Sequence, residues 1–332
     1  MAVALHAWIG KDTLELDDCI RRRIIAKTGT ETPLLVPSFS SVAFSDSAEV
    51  RSALGELRPF ITLSSLVSAF DIHSGFVSRE IDQSDIVFVD SGNYERGYLE
   101  GLKLPVDWTR AKFEATIDSI VPLTQLAVVN FDQPGPLVDQ VKSASAFFEK
   151  HPRFIRDFLY KPRSEGHSYV DISELIRNID LVGAFDIIGV TEKELGPSLL
   201  EKCSNLVRLR RSLNLAGKST PVHVYGCFEP INVILMTICG ADIFDGLTWS
   251  KYVMSGSLVV YKGLVPFLSK RWALDDAALI KASATEYLRQ MNELMFKLRS
   301  FVQNHDYNWL GLPEETLRGI KDFALQVDAG AK

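Results

Sequence analysis

Eight short runs of consecutive apolar residues recur along this 332-residue chain, each separated from the next by a longer mixed segment. They are "TPLLVP", "PFITLS" (59–64), "DIVFVD" (85–90), "QLAVVNFD" (125–132), "DFLYK" (157–161), "FDIIGV" (185–190), "VHVYG" (222–226) and "ADIFDG" (241–246). Most are continuously apolar rather than alternating. That is the pattern of strands buried on both faces of a parallel sheet. The intervening segments carry apolar residues at three- and four-residue spacing, as in 108–121, 136–150, 172–182 and 197–215, and read as amphipathic helices. Pro197 suits a helix first turn, where its missing N–H costs nothing. Eight strand–helix repeats predict an α/β fold, a (β/α)8 TIM barrel, and the length suits one. An open doubly wound sheet is the main competitor. The dinucleotide-binding version is weakened because no Gly-x-Gly-x-x-Gly follows the first strand.

Beyond residue 272 the pattern becomes wholly helical, over 274–306 and again over 312–327. The expected organisation is a barrel over 1–272 and a C-terminal helical extension of the same domain over 273–332. No apolar run reaches the length of a membrane span, and "MAVALHAWIG" lacks a basic region leading into an apolar stretch. The four cysteines form no closely spaced pair, which fits reduced thiols and a cytoplasmic protein, and makes a poor zinc site.

The net charge of -6 argues against non-specific binding to polyanions, but its distribution matters more. Residues 246–274 contain no Asp or Glu, yet carry Lys251, Lys262, Lys270 and Arg271. A second cluster, "RLRR" at 208–211, reads as a solvated helix face.

In a parallel barrel, chemistry gathers at the C-terminal strand ends. The third strand ends in "DSGNY" (Asp90, Ser91, Gly92, Asn93, Tyr94), the fourth at Asp132, the fifth at Lys161, the seventh at Tyr225–Gly226 and the eighth at Asp245. One aspartate at a strand end commonly caps the next turn. Three on one rim are costly unless they bind or react. Two carboxylates facing one substrate can divide nucleophilic and acid/base roles. Gly92 and Gly189 would let a flat ligand lie against backbone, and Tyr94 and Tyr225 would sandwich a planar base. His223 is read as a packed strand residue, Asp242 as structural, and a metal-dependent barrel is disfavoured.

These stretches together resemble the tRNA-guanine transglycosylase family, (β/α)8 enzymes that exchange a guanine for a 7-deazaguanine base in a polynucleotide. "TPLLVPSFS" is similar to the family's opening strand, and "VDSGNYE" to its Asp-Ser-Gly-Gly-Phe/Tyr-Gln segment. "HVYGCFEPINVILMTICGADIFDGLTWSKYVMSG" is similar to its Gly…Gly-Asp-Phe-Asp region, including the later Gly256.

The resemblance implies Asp245 as the nucleophile on the sugar C1′ and Asp90 as the general acid/base. It implies Asp132 as reader of the base edge, and Gly189 as donor of backbone groups to the other edge. Ser91, Gly92, Tyr94, Lys161, Tyr225 and Gly226 would complete the base site, with Lys251 and Lys262 on phosphates.

Departures are equally visible. No Cys-x-Cys-x-x-Cys…His set follows the nucleophile, so the family's zinc site is absent and no cofactor is expected. Asn93 stands for the second glycine, Glu95 for the following glutamine, Pro134 for a cysteine, Lys161 for a base-reading glutamine and Met254 for an arginine. Loss of the zinc set favours the branch acting on DNA over tRNA. The expected partners are nucleic acid and a free 7-deazaguanine base, with a homodimer or partner proteins left open. The alternatives are a non-catalytic nucleic-acid-binding relative and a barrel N-glycoside hydrolase.

Overall fold

The computed structural model describes residues 16–43, 63–82, 84–255 and 258–331. The N-terminal run, residues 59–62 of the second apolar run and Gly256 lie outside the described residues.

Eight parallel strands close into a barrel. They are β1 (Leu34–Phe39), β2 (Ser64–Ser68), β3 (Ile86–Asp90), β4 (Gln125–Val129), β5 (Ile155–Tyr160), β6 (Ile187–Thr191), β7 (Val222–Tyr225) and β8 (Ile243–Gly246). Nearly every residue in them is buried, as continuous apolar runs require when helices cover one face and the barrel interior fills the other. The ring is closed by β1 pairing with β8 through Leu34↔Ile243 and Val36↔Asp245.

One strand departs from the expected position. β2 spans Ser64–Ser68, not 59–64. Its "SSLVS" hides three serines among buried residues. Ser64 Oγ donates to Leu35 O at 3.0 Å, Ser84 Oγ donates to Ser65 Oγ at 2.9 Å, and Ser68 Oγ accepts from Phe70 N at 3.1 Å. Satisfied hydroxyls enter a core cheaply, so apolarity alone misplaces this strand.

Helices fill the crossovers. α1 (Asn93–Gly101) follows β3, and α2 (Leu137–Lys150) follows β4. α3 (Leu199–Leu215) starts at Ser198, whose Oγ accepts from Glu201 N at 3.2 Å. Pro197 therefore precedes the cap instead of occupying the first turn. α4 (Pro230–Ile238) does carry its proline at the first turn, capped by Glu229.

The long α5 (Asp276–Asn304) packs on β1 and α4. It therefore takes the place of the eighth barrel helix, between the first and last crossovers. Tyr287, Met295, Leu298 and Phe301 are fully buried there, and Arg299 Nε donates to Pro33 O at 3.0 Å. α6 (Glu314–Gly330) lies outside the ring, against α3 and α4. No helix among the described residues is long and apolar enough to cross a membrane.

The N-terminal end of the barrel is held by a buried ion triad. Asp242 receives Arg23 Nη1 at 2.9 Å, Arg210 Nη2, and Val222 N at 2.8 Å. All three side chains are almost fully buried. Asp242 thus has the structural role expected of it. Removing the acid alone would strand two guanidinium groups, so Asp242→Ala is expected to cost roughly 3–5 kcal/mol in urea denaturation.

Candidate functional site

A cavity of about 800 Å³ opens at the C-terminal end of the barrel. Asp90, Ser91, Tyr94, Asp132, Lys161, Tyr225, Gly226, Asp245 and Lys251 all line it. Nine of the twelve expected site residues therefore meet in one place, because all of them lie at the C-terminal ends of barrel strands or in the segments that follow. The volume lies in the range of small-molecule sites.

Asp245 ends β8 with its carboxylate held from three directions. Ser38 Oγ on β1 donates to Oδ2 at 2.7 Å, and Gly226 N after β7 donates to Oδ1 at 3.0 Å. His223 Nε2 lies 3.5 Å from Oδ1, an ion pair without hydrogen-bond geometry. Gly226 has φ 75°, which turns its N–H toward the acid at a backbone conformation that favours glycine.

Asp90 ends β3 in the opposite setting. Burial pushes its carboxyl well above the ordinary range, Asp132 and Glu95 push it further, and Asp245 adds to this against one opposing Ser91 N–H. Like charges and lost hydration both favour the protonated acid. Asp132 is also raised, by burial, against the lowering effect of Lys161 and of its donors. Ser91 Oγ donates to its Oδ1, and Asn93 Nδ2 donates to its backbone O at 2.7 Å and to Oδ1 at 3.1 Å. Ser91 therefore positions Asp132. Lys161 Nζ pairs with Glu194 at 2.7 Å and lies 3.9 Å from Asp132, joining the ends of β4, β5 and β6.

Three expected residues fall outside the cavity lining. Gly92 (φ 84°) makes room for Phe70 and Trp108: a Cβ there would meet Phe70 Cβ at 2.6 Å and Trp108 Nε1 at 3.1 Å. Gly189 faces the barrel interior, where a Cβ would meet Tyr225 Cε2 at 2.6 Å and Asp157 Oδ1 at 3.2 Å. At both glycines the missing side chain makes room for protein groups. Lys262 Nζ donates to Ser250 O at 3.0 Å, behind the cavity rim.

Tyr225 lines the cavity but is also tied to the barrel interior. It is buried, with one face stacked on His223 at 3.8 Å between centroids and its hydroxyl on Asp157 at 2.7 Å. It forms the floor of the cavity. Tyr94, in the first turn of α1, lines the same cavity and is exposed.

The residues missed by sequence reasoning form a relay beneath Asp245. His223 is fully buried, with Nδ1 2.9 Å from Asp157 Oδ2 and Phe88 edge-on to its ring at 5.3 Å. Burial alone lowers an imidazole, but Asp157 and Asp245 outweigh it and raise His223 to about 9. The ring therefore spans two aspartates that push it toward its protonated form. The signal available was a titratable residue in each of two apolar runs, "DFLYK" and "VHVYG". Glu95 was weighed only as a departure from the resembled motif. It is buried, accepts Ser40 Oγ at 2.5 Å, and is raised, first by burial. Asp71 beside it is pushed up to about 7, by burial and by Glu95.

No group of three or more His, Cys, Asp or Glu poised to hold a metal ion occurs among the described residues. The chain matches no protein-family model and no curated protein.

His223 links stability to pH. Its folded pKa lies above its unfolded value of about 6.5, so its contribution is complete below pH 6.5 and is lost as pH rises through about 9. That difference corresponds to roughly 3 kcal/mol. Urea denaturation of wild type and His223→Gln is expected to differ most at pH 6 and converge above pH 9. Gly189→Ala is expected to cost about 1–3 kcal/mol by driving Tyr225 off His223, read as lost stability at every pH.

Proposed function

We propose that the barrel mouth carries out base exchange on a polynucleotide, replacing a guanine by a 7-deazaguanine base, with DNA favoured over tRNA. The observation that carries this reading is the unlike environment of two carboxylates on one cavity. Asp245 is surrounded by donors and a cation, whereas Asp90 is surrounded by acids. The first setting suits an ionised nucleophile and the second a proton donor, the division of labour that glycosidic chemistry needs.

In the first half-reaction Asp245 attacks C1′ of the target nucleoside. The C1′–N9 bond breaks and its electron pair leaves with guanine, while the proton of Asp90 passes to the departing base. A covalent glycosyl ester on Asp245 remains, with Asp90 ionised. In the second half-reaction Asp90 takes the N9 proton of the incoming base. That base attacks C1′, the ester C1′–O bond breaks, and its electron pair returns to Asp245. Protons and charges balance over the cycle.

Donors that favour an Asp245 carboxylate favour it equally as the leaving group of the second step. Asp132, oriented by Ser91 and Asn93, offers an acceptor edge to the N1–H and exocyclic amine of a guanine-like ring. Lys161 adds a donor on the same side, so the accepted base carries an acceptor there. The preference for DNA rests on the missing cysteine–histidine set after Asp245.

The experiment is to incubate the protein with DNA or tRNA and labelled 7-deazaguanine bases, and to digest to nucleosides for mass spectrometry. Incorporation supports the reading, and unchanged nucleosides in both polymers with the precursor present overturn it. Release of free guanine without incorporation points instead to a hydrolase. Asp245→Asn is expected to abolish the denaturation-resistant covalent adduct. Asp90→Asn is expected to lower kcat about 10²–10⁴-fold, and wild-type adduct formation is expected to fall as pH rises and Asp90 loses its proton.

A further inference from the structure

The acid-free segment after Asp245 leaves the cavity as an exposed strip. Lys251 and Tyr252 stand on the cavity rim. Strand Tyr252–Ser255 pairs antiparallel with Leu258–Tyr261, and the short helix Val265–Leu268 follows. The back of the ribbon is taken: Val253 is buried, and α5 packs behind it.

Its other side holds rings in water. Tyr252 and Tyr261 are cross-strand partners with centroids 6.4 Å apart at 81°. Phe267 and Trp272 meet edge to face at 5.9 Å. Tyr261, Phe267 and Trp272 are 60%, 67% and 68% exposed, far beyond what a packed aromatic shows. Rings gathered in this way mark a surface that is covered in use.

Charge identifies what covers it. Between Gly246 and Leu274 there are four cations and no acid, in a chain whose net charge is -6. The Lys270 and Arg271 side chains are exposed and have no hydrogen bond or ion pair among the described residues. Planar rings interleaved with free cations fit a polyanion that displays ring faces. A duplex hides its base faces in the stack, whereas an unpaired strand offers them. The strip is also continuous with a cavity whose carboxylates reach C1′ only on a nucleotide taken out of its stack.

We infer that the paired strands Tyr252–Ser255 and Leu258–Tyr261 and the following segment to Trp272 form a binding platform for an unpaired polynucleotide strand, its bases stacked on the exposed rings and its phosphates on Lys251, Lys270 and Arg271. The inference rests on the proposed base-exchange reading for the identity of the polymer. It is tested by binding alone.

Full-length protein is titrated with a fluorescently labelled single-stranded DNA of roughly 16 nucleotides and with the same sequence as a duplex. Phe267→Ala/Trp272→Ala and Lys270→Ser/Arg271→Ser double variants are run in parallel. All four residues are exposed, and unchanged circular dichroism confirms that the variants fold. The single strand is expected to bind at least about ten-fold tighter than the duplex. The ring variant is expected to lose about ten-fold or more of that affinity, and the cation variant to flatten the slope of log K against log salt by about one to two units.

Equal or tighter duplex binding, or single-strand binding untouched in the ring variant, overturns the inference. So does ring-dependent binding to phosphatidylserine vesicles, or ring-dependent self-association in sedimentation, in the absence of strand binding. Ring-dependent strand binding by a wild-type protein that exchanges no base leaves the platform standing and removes only the catalytic reading. Base exchange that persists with ring-independent binding removes only the platform.

Discussion

Parallel pairing between β1 and β8 is the contact on which the rest of this protein depends. It joins strands separated by about two hundred residues of chain and closes the sheet, so no strand edge is left unpaired. Closure also builds the site. It brings Ser38 to Asp245, and it sets β3 across the barrel from β8, so that Asp90 and Asp245 line one cavity. The triad at the other end, Asp242 with Arg23 and Arg210, secures β8 where it enters the ring. One short strand thus carries a structural aspartate at its start and a candidate reagent at its end.

Crowding acids at the mouth has a cost that the barrel manages by dividing them. Asp245 receives donors and a buried cation. Asp132 receives Ser91, Asn93 and a nearby lysine. Asp90, Glu95 and Asp71 are displaced toward the protonated form, first by burial, even though Ser40 donates to Glu95 and Ser41 to Asp71. Burial and repulsion favour protonation throughout the cluster, and donors and the lysine oppose it to a different degree at each acid. The same division that makes the cluster tolerable makes its members chemically different.

The parts of the site that were legible in the sequence share one property. Asp90, Asp132, Lys161 and Asp245 are charged residues directly ending or following an apolar run, and strand-end position alone brings them to the rim. Asp157 opens its run and His223 lies inside its own, away from the C-terminal ends where chemistry is expected. Only the ring order puts β5 and β7 close enough for the two to pair. The glycines misled for a related reason. A missing side chain signals close approach, but not of what: at Gly92 it is Phe70 and Trp108, and at Gly189 it is Tyr225. The serines of β2 misled because hydrogen bonds, invisible in a sequence, let polar residues sit in a core.

By itself the sequence determined the eight strands, nearly all in place, and the rim on which the charged residues gather. Burial on two faces demands apolar runs, and a parallel barrel exposes its strand ends on one side. The tertiary structure alone decided that α5 completes the ring, that His223 lies between two aspartates, and that Asp90 is crowded by acids where Asp245 is met by donors. These depend on distances between residues far apart in the chain, which local pattern does not encode. They are set when β1 meets β8 and the sheet closes.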